Sequence, residues 1–303
     1  NTNTIRLSGA ITLTYEPAKW LSLQGMLAPR YTTTNRHNWK KPVTTYQDYK
    51  GTSTLTSASY ATLTESGSRA FYGNYNFLAT FKHNFSGHDL KLILGAERNT
   101  YDYKYLMAYR QVFNYNYDQI DVGEIDNMDN SGRRYEWAIQ SYFGRLNYNY
   151  KERYYVTFTA RYDGASNFAA NKKWGFFPSA AVRWNIANEK FLQKAAWIDE
   201  LALRASLGRT GNDAISAYRS LAAMSSTTSG YLFDGMQPGA YYRSRLASPN
   251  LTWEKTDLYN AALDLAFFNN RLRVAADYYS KKSEDLLFDV SLPDTSGYGS
   301  AMQ

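Results

Sequence analysis

Between Tyr135 and Ile186 the chain alternates two residues at a time. Tyr142, Gly144, Leu146, Tyr148 and Tyr150 take every second position, with Arg145, Asn147 and Asn149 between them and Phe143 as an exception. After a polar hinge at Lys151, Glu152 and Arg153 the alternation resumes. Tyr154, Val156, Phe158, Ala160 and Tyr162 form one set, and Tyr155, Thr157, Thr159, Arg161 and Asp163 the other. Successive side chains of a strand point to opposite faces, so the pattern predicts a two-faced sheet. The short hinge predicts a hairpin.

The same pattern predicts strands along most of the chain. The first pair is Thr4–Tyr15 and Trp20–Tyr31, joined at Glu16-Pro17-Ala18-Lys19. A second hairpin places Tyr75, Phe77, Ala79, Phe81 and Phe85 on one face. It turns at Ser86-Gly87-His88-Asp89 and continues through Leu90, Leu92, Leu94 and Ala96. A strand at Gly175–Ile186 has Pro178, Ala180, Val182, Trp184 and Ile186 opposed to Ser179, Ala181, Arg183 and Asn185. Leu201, Leu203, Ala205 and Leu207 form the next. Thr252–Phe267 and Leu272–Ser280 form the last pair, hinged at Phe268-Asn269-Asn270-Arg271. The segments 32–69, 98–134 and 210–250 show no sustained period and read as long loops, and 285–303 reads as a loop-like tail. Residues 187–200 are the one helical candidate: Asn188 is placed to cap, Glu189 suits a first turn, and Phe191, Leu192, Ala195 and Ile198 make an apolar stripe. The count is roughly ten strands in up-and-down order, with short connections at one end and long ones at the other.

The apolar face is aromatic rather than aliphatic, and the chain holds 28 Tyr, 15 Phe and 7 Trp. A soluble sandwich would fill that face with Val, Ile and Leu. In a transmembrane barrel the apolar face meets lipid, aromatic girdles mark the interfaces and the polar face lines a lumen. A mean hydropathy of −0.55 does not oppose this, because only alternate residues need be apolar. The absence of cysteine excludes a disulfide framework and thiolate metal sites. The net charge of +7 is spread over strands and loops and does not form a nucleic-acid surface.

No catalytic constellation emerges. Of the three histidines, His83 and His88 flank a turn and His37 stands alone, too few ligands for a zinc site. Asp163 and Glu254, and the acidic patch of Asp121, Glu124, Asp126 and Asp129, have nothing that fixes a carboxylate separation. The run from Gly208 to Asn212 lacks the lysine of a phosphate loop. Neither an enzyme nor a cofactor or metal is expected. The candidate ligand-binding residues are loop aromatics, Tyr231, Phe233, Tyr241 and Tyr242, because long external loops carry recognition and tyrosine offers a ring face with a polar handle. Loop packing or lid contacts are an equal alternative.

Three stretches carry a family resemblance: RYDGASNFAANKKWGFFPSAAVRWNIANEKFL (Arg161–Leu192), LRASLGRTGNDAI (Leu203–Ile215) and SPNLTWEKTDLYNAALDLAFFNNRLRVAADYYSKKSEDLLFDVSLPDTSGYG (Ser248–Gly299). They resemble the SusC/RagA family of TonB-dependent outer-membrane transporters of Bacteroidetes. The resemblance implies an all-β, antiparallel transmembrane barrel of about 22 strands, closed by a plug. Residues 1–303 would be part of its barrel domain, with the plug, the TonB box and the remaining strands outside this sequence. It also implies uptake of a large nutrient, a glycan or a peptide, across the outer membrane. The implied partners are a SusD-like lipoprotein lid, TonB with its inner-membrane complex, and outer-membrane lipid. The competing expectation is a secreted or surface carbohydrate-binding β-protein without transport, which would fold as a monomer without detergent.

Overall fold

A computed structural model describes residues 1–42, 44–46, 54–56, 60–113, 117–192, 195, 197–228, 232, 234–236, 239–298 and 300–302. Its strands are β1 (Thr2–Ser8), β2 (Ile11–Ala18), β3 (Leu21–Lys40), β4 (Thr44–Tyr46), β5 (Thr54–Thr56), β6 (Thr62–Phe85), β7 (His88–Gln111), β8 (Asp129–Tyr150), β9 (Tyr154–Ala165), β10 (Trp174–Asn185), β11 (Ile198–Asn212), β12 (Ala223–Thr228), β13 (Gly239–Arg245), β14 (Glu254–Phe267), β15 (Leu272–Glu284), β16 (Asp289–Ser291) and β17 (Ser300–Met302). Eleven of them form one sheet in the order β1-β3-β6-β7-β8-β9-β10-β11-β14-β15, with β2 also on β3. Strands follow one another across the sheet in sequence order, with only β2 and the β4–β5 and β12–β13 ribbons stepping out of it, which is the predicted meander. β4 with β5, β12 with β13 and β16 with β17 are separate two-stranded ribbons.

The chain divides into two compact units. One comprises Asn1–Ile11, Leu27–Asn74 and Thr100–Glu136; the other comprises Thr12–Met26, Tyr75–Asn99 and Trp137–Gln303. In the second unit the alternation fixes the register. Val156 pairs with Val182 and Tyr148, Phe158 with Ala180 and Leu146, and Tyr154 with Trp184 and Tyr150. Leu203 lies between Trp184 and Leu263. Every one of these belongs to the apolar set, so one face stays apolar across five strands, β8 to β11 and β14. Among the described residues that face has no second layer on it: Val156 is 39% and Val182 51% exposed, and Leu146 and Leu263 are half-exposed.

Phe143, the exception to the alternation, lies on the polar face for a packing reason. A Cβ at Gly95 would sit 2.3 Å from its ring, so the ring fills the space that the glycine leaves open. Gly211 serves Phe177 in the same way, at 2.1 Å. Glycine in a strand often marks such a close approach. Among the described residues a small buried core forms on the Phe177 side from Ala165, Phe168, Phe177, Ile215, Leu251 and Trp253.

Three expectations are corrected. The segments 32–69 and 98–134 are largely strand, because β3 runs on to Lys40, β6 starts at Thr62, β7 reaches Gln111 and β8 starts at Asp129. At 24 residues, β6 and β7 are more than twice the roughly 9–11 needed to cross a bilayer. The segment 210–250 holds the β12–β13 hairpin, and the tail holds β16 and β17. The helix at 187–200 does not form among the described residues. A 3-10 turn spans Ile186–Asn188 and Glu189 is already extended. Backbone bonds Leu192 to Glu189, Ala195 to Leu192 and Ile198 to Ala195 then make separate three-residue turns. Both expected helix-starting residues are engaged elsewhere: Asn188 Nδ2 donates to the Glu152 carbonyl at 2.8 Å, and the Glu189 carboxylate takes bonds from two aromatic side chains.

Candidate functional site

Strands of the second unit carry arginines that are tied to carboxylates. Arg161 Nε lies 2.8 Å from the Asp163 carboxylate. Its Nη2 donates to Ser141 Oγ at 2.8 Å and to Glu97 Oε2 at 3.3 Å. Its guanidinium also lies 5.4 Å from the Phe143 ring centroid. Arg183 donates to Glu200 at 2.6 Å and Asp264 at 3.1 Å. Arg204 forks onto both oxygens of Asp264 at 2.6 and 2.9 Å. Arg209 forks onto Asp257 at 2.7 and 2.8 Å. Bidentate pairs of this kind fix geometry as well as charge. These guanidiniums are committed to binding each other's strands, and the carboxylates that would otherwise suggest acid–base chemistry are their partners. Asp163, weighed above as half of a carboxylate pair, is one of them. Glu254 is at a strand end with Asn212 Nδ2 3.5 Å away.

At the end with the long connections, the motif segments converge. Phe168 follows β9, Phe177 stands on β10, Ile215 follows β11, and Leu251 and Trp253 precede β14. Trp253 lies 5.4 Å from Phe168 and 5.2 Å from Phe177 between ring centroids. Its Nε1 donates to the Lys173 carbonyl at 2.8 Å. Asn167 Nδ2 donates to the Ile215 carbonyl at 3.2 Å. Burial pushes the Asp213 carboxyl above its usual range, and the nearby Asp163 charge adds to that. The separate motifs DGASNF, WGFFPS, GRTGND and SPNLTW are thus four parts of one packed cluster.

At the opposite end, aromatic rings gather beside the short turns. Tyr154 stacks on Tyr150 and Trp184, at 6.4 and 6.3 Å, and Trp197 stacks on Phe267 at 5.6 Å. Glu189, in the turn after β10, accepts from Tyr154 Oη at 2.7 Å and Trp184 Nε1 at 3.1 Å. These two bonds, the Tyr154 one first, hold its carboxyl below the usual range, with Arg153 adding to the effect. A group with a depressed folded pKa stabilises the fold fully above its unfolded pKa, and that contribution is lost as pH falls through the folded value. Glu189→Gln is therefore expected to lower stability at pH 7 and to narrow the stability gap between pH 7 and pH 3.5. Urea midpoints of the full-length protein in micelles check this; an unchanged gap would remove Glu189 from the acid response.

The histidines do not converge. His88 Nδ1 is 2.7 Å from Tyr148 Oη and its ring stacks on Phe85 at 4.8 Å, while His83 leans on the same Phe85 ring at 5.2 Å. His37 pairs with Glu65 and lies 3.4 Å from Asp118. Of the loop aromatics, Tyr231 and Phe233 lie outside the described residues. Tyr241 and Tyr242 are exposed neighbours on β13, opposite Ser226 and Ser225. Adjacent strand residues point to opposite faces, so the two do not form one surface.

A meander with an uncovered apolar face, aromatic rings at its turns and ion-paired arginines on its other face defines the wall of a transmembrane β-barrel. The model of the family "TonB dependent receptor-like, beta-barrel" matches residues 3–301, and the chain belongs to that family. It is 39% identical over 231 residues to TonB-dependent receptor P3 of Formosa agariphila, covering 75% of this chain and 23% of the relative. It is 39% identical over 171 residues to TonB-dependent receptor SusC of Bacteroides thetaiotaomicron, covering 54% of this chain and 17% of that one. Among solved structures it matches the RagAB peptide transporter with a TM-score of 0.87 at 27% identity, over 100% of this chain and 32% of that chain. The chain thus spans about a fifth of the length of the curated relatives and a third of the solved one.

Proposed function

We propose that the protein imports a large nutrient across the outer membrane of a Bacteroidetes-like cell, with residues 1–303 supplying part of the wall of its barrel domain. The observation that carries this reading is the outward apolar face joined to membership of the TonB-dependent receptor family. Uptake would draw on TonB and its inner-membrane complex through a plug, and a SusD-like lipoprotein would close the external mouth. The cargo favoured here is a glycan, in keeping with the similarity to SusC and with the aromatic content of the chain. A peptide is the second reading, favoured by the similarity to the RagAB peptide transporter. The protein would act by binding and passage, with no chemical step.

Deleting the gene in its host and growing the strain on a panel of purified polysaccharides and peptide mixtures tests the proposal. Loss of growth on one nutrient class, restored by the gene in trans, with the protein in the outer-membrane fraction, is the expected result. Normal growth on every nutrient with the protein found outside that fraction overturns it.

A further inference from the structure

The loop aromatics do not account for a cluster of tyrosines that lies on strands of the first unit. Tyr101 and Tyr103 are two residues apart on β7, so they share a face. Their rings are nearly parallel, 7° apart with centroids 6.5 Å apart. Tyr135 of β8 stands beside both, at 5.8 and 4.9 Å, and is hydrogen-bonded to Tyr101. Arg30 of β3 lies near Tyr101 and places its guanidinium 4.9 Å from the ring centroid of Tyr72 on β6. All four tyrosines are half-exposed. Alternation along β7 puts Tyr101 and Tyr103 on the same side of that strand as Gly95 and Glu97, its polar side.

We propose that Tyr72, Tyr101, Tyr103 and Tyr135 with Arg30 form a binding platform for a neutral oligosaccharide. The proposal rests on the importer reading and names the place where the wall meets its cargo. Three observations favour this occupant. The near-parallel rings of Tyr101 and Tyr103, with Tyr135 tilted 33–36° beside them, offer apolar ring faces that suit the apolar faces of sugar rings, and tyrosine hydroxyls offer hydrogen bonds to sugar hydroxyls. The nearby charges are of both signs: Arg30 lies over the Tyr72 ring, Arg133 lies 5.3 Å from the Tyr105 centroid, and Arg134 pairs with Asp102 and Glu136 at 3.0 and 2.8 Å. The guanidiniums are thus interspersed with carboxylates and rings, and among the described residues no cluster of one sign marks the site for a charged ligand. The platform strands β6, β7 and β8 each lie inside the sheet order with a strand on either side. One way in which an extended peptide binds a sheet, addition to an open edge, is not offered by these strands.

The test is an array of neutral α- and β-linked oligosaccharides, with a tripeptide pool alongside, probed with the full-length protein in detergent. Wild type, Tyr103→Ala, Tyr135→Ala and Tyr103→Phe are compared, with Tyr241→Ala as the control. Heat-modified gel mobility confirms that each variant is folded. Wild type is expected to bind at least one oligosaccharide. Each alanine variant should weaken that binding about tenfold, as loss of an aromatic contact worth about 1.4 kcal/mol would, while Tyr103→Phe and Tyr241→Ala stay within about threefold. The proposal is overturned if no oligosaccharide binds, if the alanine variants bind as wild type does, or if tripeptides bind and are the ligand that the variants lose. The gene deletion separates the two readings. Normal array binding by the variants beside a growth defect of the deletion strain removes the platform and keeps the importer. Lost array binding beside normal growth keeps the platform and removes the importer.

Discussion

Trp253→Ala is expected to destabilise the cluster at the long-loop end by about 3–5 kcal/mol, the usual cost of emptying a buried tryptophan site. The residue is 4% exposed, with Phe168 and Phe177 against its ring. Neither neighbour is free to fill the void. Phe177 is already set over Gly211 and Gly175, and Phe168 is itself fully buried. The indole N–H adds a bond to the Lys173 carbonyl that alanine cannot make, so that carbonyl is left with the Ala165 N–H at 3.0 Å. Trp253→Phe keeps most of the packing and loses the bond, and should cost about 1–2 kcal/mol. Hydrogen exchange of the full-length protein is the readout, because the cluster can open without the whole barrel unfolding. Residues 163–168 and 212–216 should exchange at least about a hundredfold faster in Trp253→Ala, since each 1.4 kcal/mol is a factor of ten in an opening equilibrium. Protection unchanged in those segments would show that the four motifs do not depend on one another.

That cluster also shows what a sequence holds and what it conceals. The alternation from Tyr142 to Tyr162 and from Pro178 to Trp184 is legible because one face is apolar and the other polar, and the registers follow it pair by pair. Residues 32–40, 62–69, 98–111 and 129–134 belong to the same strands yet carry no such signal. Where a strand runs past the bilayer, polar residues suit both of its faces, and a period of two has nothing to distinguish. Thr32, Thr33 and Thr34 pair with Arg6, Ile5 and Thr4 through backbone bonds that no hydropathy pattern reports. Tyr101 and Tyr103 of the tyrosine platform lie in one of these stretches and so read as loop. The stretch 187–200 misled for the opposite reason. Its helix-like signals, Asn188 and Glu189, are engaged by the Glu152 carbonyl and by Tyr154 and Trp184, partners 35 or 36 positions away except for Trp184. No period or spacing in the sequence links DGASNF to SPNLTW, and only the folded chain places Phe168 against Trp253.

Removing Asp264 is the second large effect, and here electrostatics decides the sign. Register sets Arg183 directly beside Arg204 on adjacent strands. Two guanidiniums side by side repel, and Asp264 accepts from both. Glu200 still serves Arg183 when Asp264 is lost, but Arg204 keeps only Asp277 at 3.5 Å. Breaking a fully buried pair costs about 3–5 kcal/mol, and breaking an exposed one about 0–1 kcal/mol. The Asp264 side chain is largely buried and both arginines are about a third exposed, so Asp264→Ala is expected to cost about 2–3 kcal/mol by urea unfolding in micelles. Asp264→Asn, which keeps an acceptor and loses the charge, should fall between the two. The companion variant separates repulsion from mere loss of bonds. If the orphaned Arg204 is the cause, Arg204→Leu added to Asp264→Ala should return more than half of the lost stability. Raising salt should help the single variant more than the double, because ions screen the arginine pair. A double variant weaker than Asp264→Ala alone would mean that Arg204 stabilises the wall through the packing of its stem, and that the paired charges on this face are incidental to its strength.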